Sequence, residues 1–192
     1  MLPISREEAL KVIVEHNKDS QDMIHFLESE AIMRELATRL GEDVEYWGML
    51  GLLHDIDWGT TKQYSREHLT KAPGILKHAG FDDDFIQTVL SHGYGWDCAG
   101  LKEKKRERKI EHALAAAETM TGLIHAYALM RGRKVSSMDV SGLKKKFKDK
   151  KFAAGVNRDI ILECEKTGIS LDEFMQVSID AIRKIAKEVG LN

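Results

Sequence analysis

Cysteine is nearly missing from this chain: only Cys98 and Cys164 occur in 192 residues. Two scattered thiols make neither a disulfide framework nor a thiolate zinc site, and free thiols suit a reducing compartment. Proline is equally scarce, with two residues, so little interrupts a helix. No apolar run approaches the roughly 20 residues that a membrane span needs. The opening stretch from Met1 to Glu8 lacks the basic segment and apolar core of a secretory signal. A dominant charge is absent too. Lys and Arg number 29 against 31 Asp and Glu, a formal net charge of −2, which gives no reason to expect nucleic acid or membrane as a partner. Internal repeats, low-complexity linkers and strand-like alternation are all absent. These absences point to one cytoplasmic globular domain over 1–192, long enough to bury a core. Nothing in the sequence excludes a homo-oligomer.

Apolar residues recur at spacings of three and four almost everywhere, which predicts an all-α fold. Ser5-Arg6-Glu7-Glu8 reads as a capping box opening a first helix. A second starts near Asp19 or Ser20 and stops at Gly41; in it His25 shares a face with Ile32 and Leu36 and should point inward. A third starts near Asp43, runs through Val44, Trp47, Leu50 and Leu53, and ends at His54-Asp55. Asp57 to Thr61 breaks the pattern and reads as a loop. A fourth helix is predicted from Ser65 to Ala79, carrying His68, and a fifth from Asp82 to Ser91-His92-Gly93. A long helix from about Leu101 to Met130 carries Glu118 beside Ala113, Ala115, Ala116 and Ala117, where small side chains let neighbouring helices approach. Beyond Arg133 come a lysine-rich stretch at 143–151, a helix from Asn157 to Lys166, and a final amphipathic helix opened by a second capping box, Ser170 to Glu173. The expected division is a core of about 20–131 with a C-terminal helical lobe of about 139–190.

His54-Asp55 is the most informative feature. Neighbouring residues on a helix normally point apart, but at a helix end the backbone can bend so that both reach one ion. With His25 upstream and His68, His92 and Glu118 downstream, the donors are nitrogen and oxygen without thiolate. Such a set suits Mn, Fe, Mg, Zn or Ni. Any single helical His is more often packed or solvated than ligating, and His16, His78 and His112 are read that way. His125, two turns beyond Glu118 on one face, is read as a core or surface residue rather than a substrate contact. Lys62 and the alternating run Lys102–Lys109 read as solvated surface, the latter as an exposed helix face. The Lys144–Lys151 run is more uniformly basic and could meet an anionic group, with solvation the default reading; Arg131, Arg133 and Arg158 are further candidates for such a group, and none is singled out.

These residues, and above all Leu52-Leu53-His54-Asp55-Ile56-Asp57, resemble the HD-domain metal-dependent phosphohydrolases over about His25 to Glu118. The resemblance implies an all-helical enzyme with one or two divalent ions acting on a small phosphorylated substrate, a nucleotide or related metabolite. It assigns His25, His54, Asp55 and Glu118 to a first ion, and Asp55, His68 and His92 to a second. Glu118 stands where the family usually has Asp, preserving charge and donor type. Asp55 is expected to bridge the ions; Asp57 is read either as orienting a water or acting as general base, or as an N-cap or turn residue before Gly59. Two other readings use the same residues: a di-iron oxygenase, and a metal- or nucleotide-binding module that has lost catalysis.

Overall fold

The computed structural model describes residues 2–192, and among them every regular element is helical. The α-helices are α1 (Arg6–His16), α2 (Ser20–Leu40), α3 (Val44–Leu53), α4 (Trp58–Thr61), α5 (Ala72–His78), α6 (Asp83–Leu90), α7 (Lys109–Met130), α8 (Val140–Lys148), α9 (Arg158–Leu162) and α10 (Leu171–Lys184). Short 3₁₀ turns occupy Ser65–Glu67, Ser91–Gly93 and Glu163–Thr167. No helix among these residues is long and apolar enough to cross a membrane.

Local chemistry explains most boundaries. Ser5 and Glu8 complete the capping box of α1 in both directions. Asp19 caps α2, and Gly41 ends it at φ 72°, where only a residue without Cβ is unstrained. Asp43 accepts from the amides of both Glu45 and Tyr46 to open α3. At α10, Ser170 accepts from the Glu173 amide, while the Glu173 carboxylate turns to Arg39.

Helix α2 is the central strut, packing against α3, α7 and α10. Its buried Phe26, Ile32, Met33 and Leu36 join residues of α3, α7 and α10 in one continuous apolar cluster. The α2–α3 approach is very close. A Cβ on Gly51 would lie 2.6 Å from the Ser29 carbonyl oxygen and 3.0 Å from the Glu30 Cα. Glycine at this position therefore sets how near the end of α3 comes to His25.

Three expectations need correcting. First, no single helix spans Ser65 to Ala79. Leu69 sits at φ +67°, which interrupts the helix after the 3₁₀ turn and leaves His68 in the break. Second, the long helix begins at Lys109, not near Leu101. Glu111 holds its start by accepting from the amides of Glu107 and Arg108, and the Lys102–Arg108 run is non-helical backbone. Third, the segment after Asp57 is not an open loop but the short helix α4, with Thr61 buried and donating to the Asp57 carbonyl.

Candidate metal centre

Three imidazoles of the site, those of His54, His92 and His25, are each oriented by a bond on the far side. His54 follows the last residue of α3 and is fully buried. Its Nδ1 lies 2.8 Å from the Gly51 carbonyl. A carbonyl only accepts, so Nδ1 carries the proton and Nε2 presents its lone pair. His92, in the Ser91–Gly93 turn, repeats this with the Val89 carbonyl at 2.7 Å. His25, from α2, places Nδ1 2.9 Å from the Thr121 hydroxyl of α7, which spends its own hydrogen on the Glu118 carbonyl at 2.6 Å. The hydroxyl must therefore accept from His25, again leaving Nε2 free. This is the outer-partner arrangement that orients metal-ligating histidines.

The freed nitrogens converge on Asp55. Its carboxylate lies 3.1 Å from His92 Nε2, 3.3 Å from His68 Nε2, 3.6 Å from His54 Nε2 and 3.7 Å from His25 Nε2. His25, His54 and Asp55 bring one ligand atom each to within 4.8 Å of one another, and so do Asp55, His68 and His92. Asp55 belongs to both groups. His25 and His54 approach Nε2 to Nε2 at 3.0 Å, and His68 and His92 at 3.2 Å. Two lone pairs cannot face each other at that distance unless a proton or a cation lies between them. Asp55 Oδ1 is buried without a hydrogen-bond partner, as expected of an atom meant for an ion. The donor set and this unpartnered oxygen together fit divalent metal.

The local electrostatics agree. Burial lowers the His54 pKa to about 3, against the pull of Asp55, so this imidazole is neutral as ligation requires. Burial opposes the charge on Asp55, yet the neighbouring rings of His54, His68 and His92 hold its carboxyl well below the usual range. For His68, burial favours the neutral ring, but Asp55 and Asp57 more than offset it and push its pKa up to about 10. In the metal-free chain His68 is thus an imidazolium, occupying with a proton the place that suits a cation.

Asp57 lies behind the site rather than in it. The expectation that it meets substrate or water is corrected: it is fully buried, and its oxygens accept from the amides of Leu69 at 3.2 Å, Lys71 at 3.0 Å and Ala72 at 3.1 Å. Its Oδ1 is also 3.3 Å from His68 Nδ1. Asp57 therefore starts α5, pins Leu69 in its left-handed conformation and faces the back of the His68 ring. Burial raises its pKa, but the partners His68, Lys71 and Leu69 together hold it below the usual range.

A cavity of about 400 Å³ opens beside Asp55, His68 and His92, flanked by Trp58, Ser65, Trp96, Asp97 and Glu118. Glu118 also borders a second cavity of about 290 Å³ that reaches His25, Thr121 and Asn157. It lies outside both three-donor groups, and its Oε1 accepts from the Thr119 hydroxyl at 2.5 Å. Burial raises its pKa, against the pull of His92 and His25. Neither cavity is lined by Lys or Arg. Lys62 pairs with Asp19 and Asp22, and Arg158 donates to the carbonyls of Ala153 and Val156. Arg131 bonds Ser137. His125 pairs with buried Glu28 at 2.7 Å.

Arg106 and Glu163 were missed by sequence reasoning. Arg106 looked like part of a solvated charge run and Glu163 like any helix carboxylate. Both are largely enclosed, and they ion-pair at 2.7 Å beside the His92 turn. No local signal marks them.

A family model described as HD domain matches residues 22–128, which takes in every donor named above. Comparison with curated proteins finds no match, and comparison with solved structures finds none. HD domains are generally metal-dependent hydrolases. With the match spanning more than half of its residues and the His-Asp pair at the meeting point of two donor groups, this chain belongs to the HD domain family.

Proposed function

We propose that this protein is a metal-dependent phosphohydrolase acting on a small phosphate ester, a nucleotide or related metabolite. Two divalent ions are held in this reading, one by His25, His54 and Asp55 and one by Asp55, His68 and His92, with Glu118 as a further donor. The observation that carries it is the single carboxylate, Asp55, shared by two groups of histidines whose Nε2 atoms all turn towards it. When bound, such ions bring the pKa of water towards neutrality and offset phosphoryl charge, which suits cavities lined by no Lys or Arg.

The chain's own residues do the positioning. Gly51, Val89 and Thr121 fix the ring orientations of His54, His92 and His25. Asp57 stands 3.3 Å behind His68 Nδ1, which has no hydrogen-bond partner, and acts on His68 through its charge and through the backbone it holds rather than on substrate. Trp58, packed edge-on at 5.1 Å against His68, and Trp96 give the cavity flat apolar walls. Helices α8–α10 brace the donor-bearing helices, with α10 packing on α2, and α8 and α9 packing on α7.

A screen of phosphate esters against the protein loaded with Mn, Fe, Mg, Zn or Ni tests this reading, paired with elemental analysis of the protein as purified. Turnover with at least one ester is expected, abolished by chelation. Tightly held iron with oxygen consumption and no ester cleaved would overturn it in favour of an oxygenase.

A further inference from the structure

We propose that Arg106 and Glu163 form a clamp that sets the position of His92, making the C-terminal part of the chain a working component of the second metal site. The inference rests on the reading of His92 as a ligand.

His92 lies in a 3₁₀ turn between α6 and a long irregular segment. A turn of this kind leaves carbonyl oxygens without helical partners. Three carbonyls here, from Ser91 (which also accepts from the Tyr94 amide at 3.1 Å), His92 and Tyr94, accept from a single nitrogen, Arg106 Nη1, at 2.9, 3.2 and 3.1 Å. The other edge of the guanidinium is held by Glu163, with Nε to Oε2 at 2.8 Å and Nη2 to Oε1 at 2.7 Å. His112 of α7 donates to the same Oε2 at 2.6 Å. One planar cation thus ties the backbone of a ligand turn to a carboxylate far along the chain. Its side chain is only 8% exposed, so water does little to weaken these charge-assisted bonds.

The turn has little freedom to settle elsewhere. A Cβ on Gly93 would lie 2.5 Å from Leu69 Cδ1, so the His92 turn and the His68 segment already touch. A small slip of the turn would change the 3.2 Å spacing of the two Nε2 atoms. Lysine cannot replace this arginine, because a point ammonium lacks the two-edged fork that reaches carboxylate and carbonyls together.

The test uses the full chain with Arg106→Lys, Glu163→Gln and the double variant, titrated with Mn²⁺ by calorimetry and spin counting. Amide hydrogen exchange of the metal-free proteins is read by mass spectrometry. Both single variants should weaken the second Mn²⁺ by about 10–100-fold, the loss typical of outer metal-site partners, and leave the first within threefold. Exchange at residues 91–96 should quicken at least about tenfold while α2 and α3 stay unchanged. The double variant should lose no more than either single one, because both act through one clamp. A lower melting temperature with both Mn²⁺ affinities and the local exchange at wild-type values would overturn the proposal. So would a uniform rise in exchange across the chain. A wild-type chain that takes only one Mn²⁺ would instead defeat the two-ion reading, and the exchange at 91–96 would still decide whether the clamp holds the turn.

Discussion

Asp55→Asn keeps the shape of the shared carboxylate and removes its charge. The wild-type oxygens sit between 3.1 and 3.7 Å from four ring nitrogens, and no other residue belongs to both donor groups. Loss of even an outer partner of a metal ligand lowers affinity about 10–100-fold. Removing a charged donor from each of two ions should therefore cost about 10²–10⁴-fold for the pair, roughly 3–5 kcal/mol. The fold should survive, since an Asn amide hydrogen can donate to a facing Nε2 lone pair and replace part of what is lost. The assay is elemental analysis after gel filtration, followed by Mn²⁺ titration, with circular dichroism to check helix content. Native-like helix content with both ions lost is the expected result. Both ions retained, with affinities within threefold of wild type, would refute Asp55 as the bridge.

Metal uptake should release about one proton per chain near pH 7.5, because His68 holds its proton to about pH 10 and must give it up to ligate. Calorimetry in buffers of different ionisation enthalpy reads this, and no buffer dependence would contradict the paired-imidazole picture. The sign for the metal-free chain follows from the same shift. A raised pKa contributes stability fully below the ordinary His value near 6.5 that is lost as pH rises towards 10, so its melting temperature should fall over that window. Asp57 and Glu163 act in the opposite direction. Burial is more than offset by their partners and both pKa values lie below the ordinary range, so their contribution holds above it and fades as pH falls through it; urea melts at pH 3 and pH 6 measure the loss. Gly51→Ala should force α3 away from α2, costing about 1–3 kcal/mol, and separate His54 from His25, seen as a weaker first ion in the Mn²⁺ titration. Asp57→Asn should weaken the second ion about 10–100-fold and leave the first unchanged, because the amide nitrogen cannot accept the backbone bonds that hold the His68 segment.

Sequence alone determined the all-helical fold, the start of α1 and the bounds of α2 and α3, because apolar periodicity and caps are written in residues close together along the chain. The ligand set came only through the family resemblance, and of its six residues the structure gathers His25, His54, Asp55, His68 and His92 while leaving Glu118 outside both groups. Tertiary structure decided the rest. The Leu69 break that frees His68 depends on Asp57 accepting amides twelve to fifteen residues away, a bond that no window of local periodicity contains. The inward turn of Arg106 depends on Glu163, 57 residues distant; on paper the same arginine sits among solvated lysines. The tautomer of His25 was likewise invisible, since its far nitrogen meets the Thr121 hydroxyl only once α2 and α7 have packed, whereas His54 and His92 bond carbonyls three residues back in their own turns.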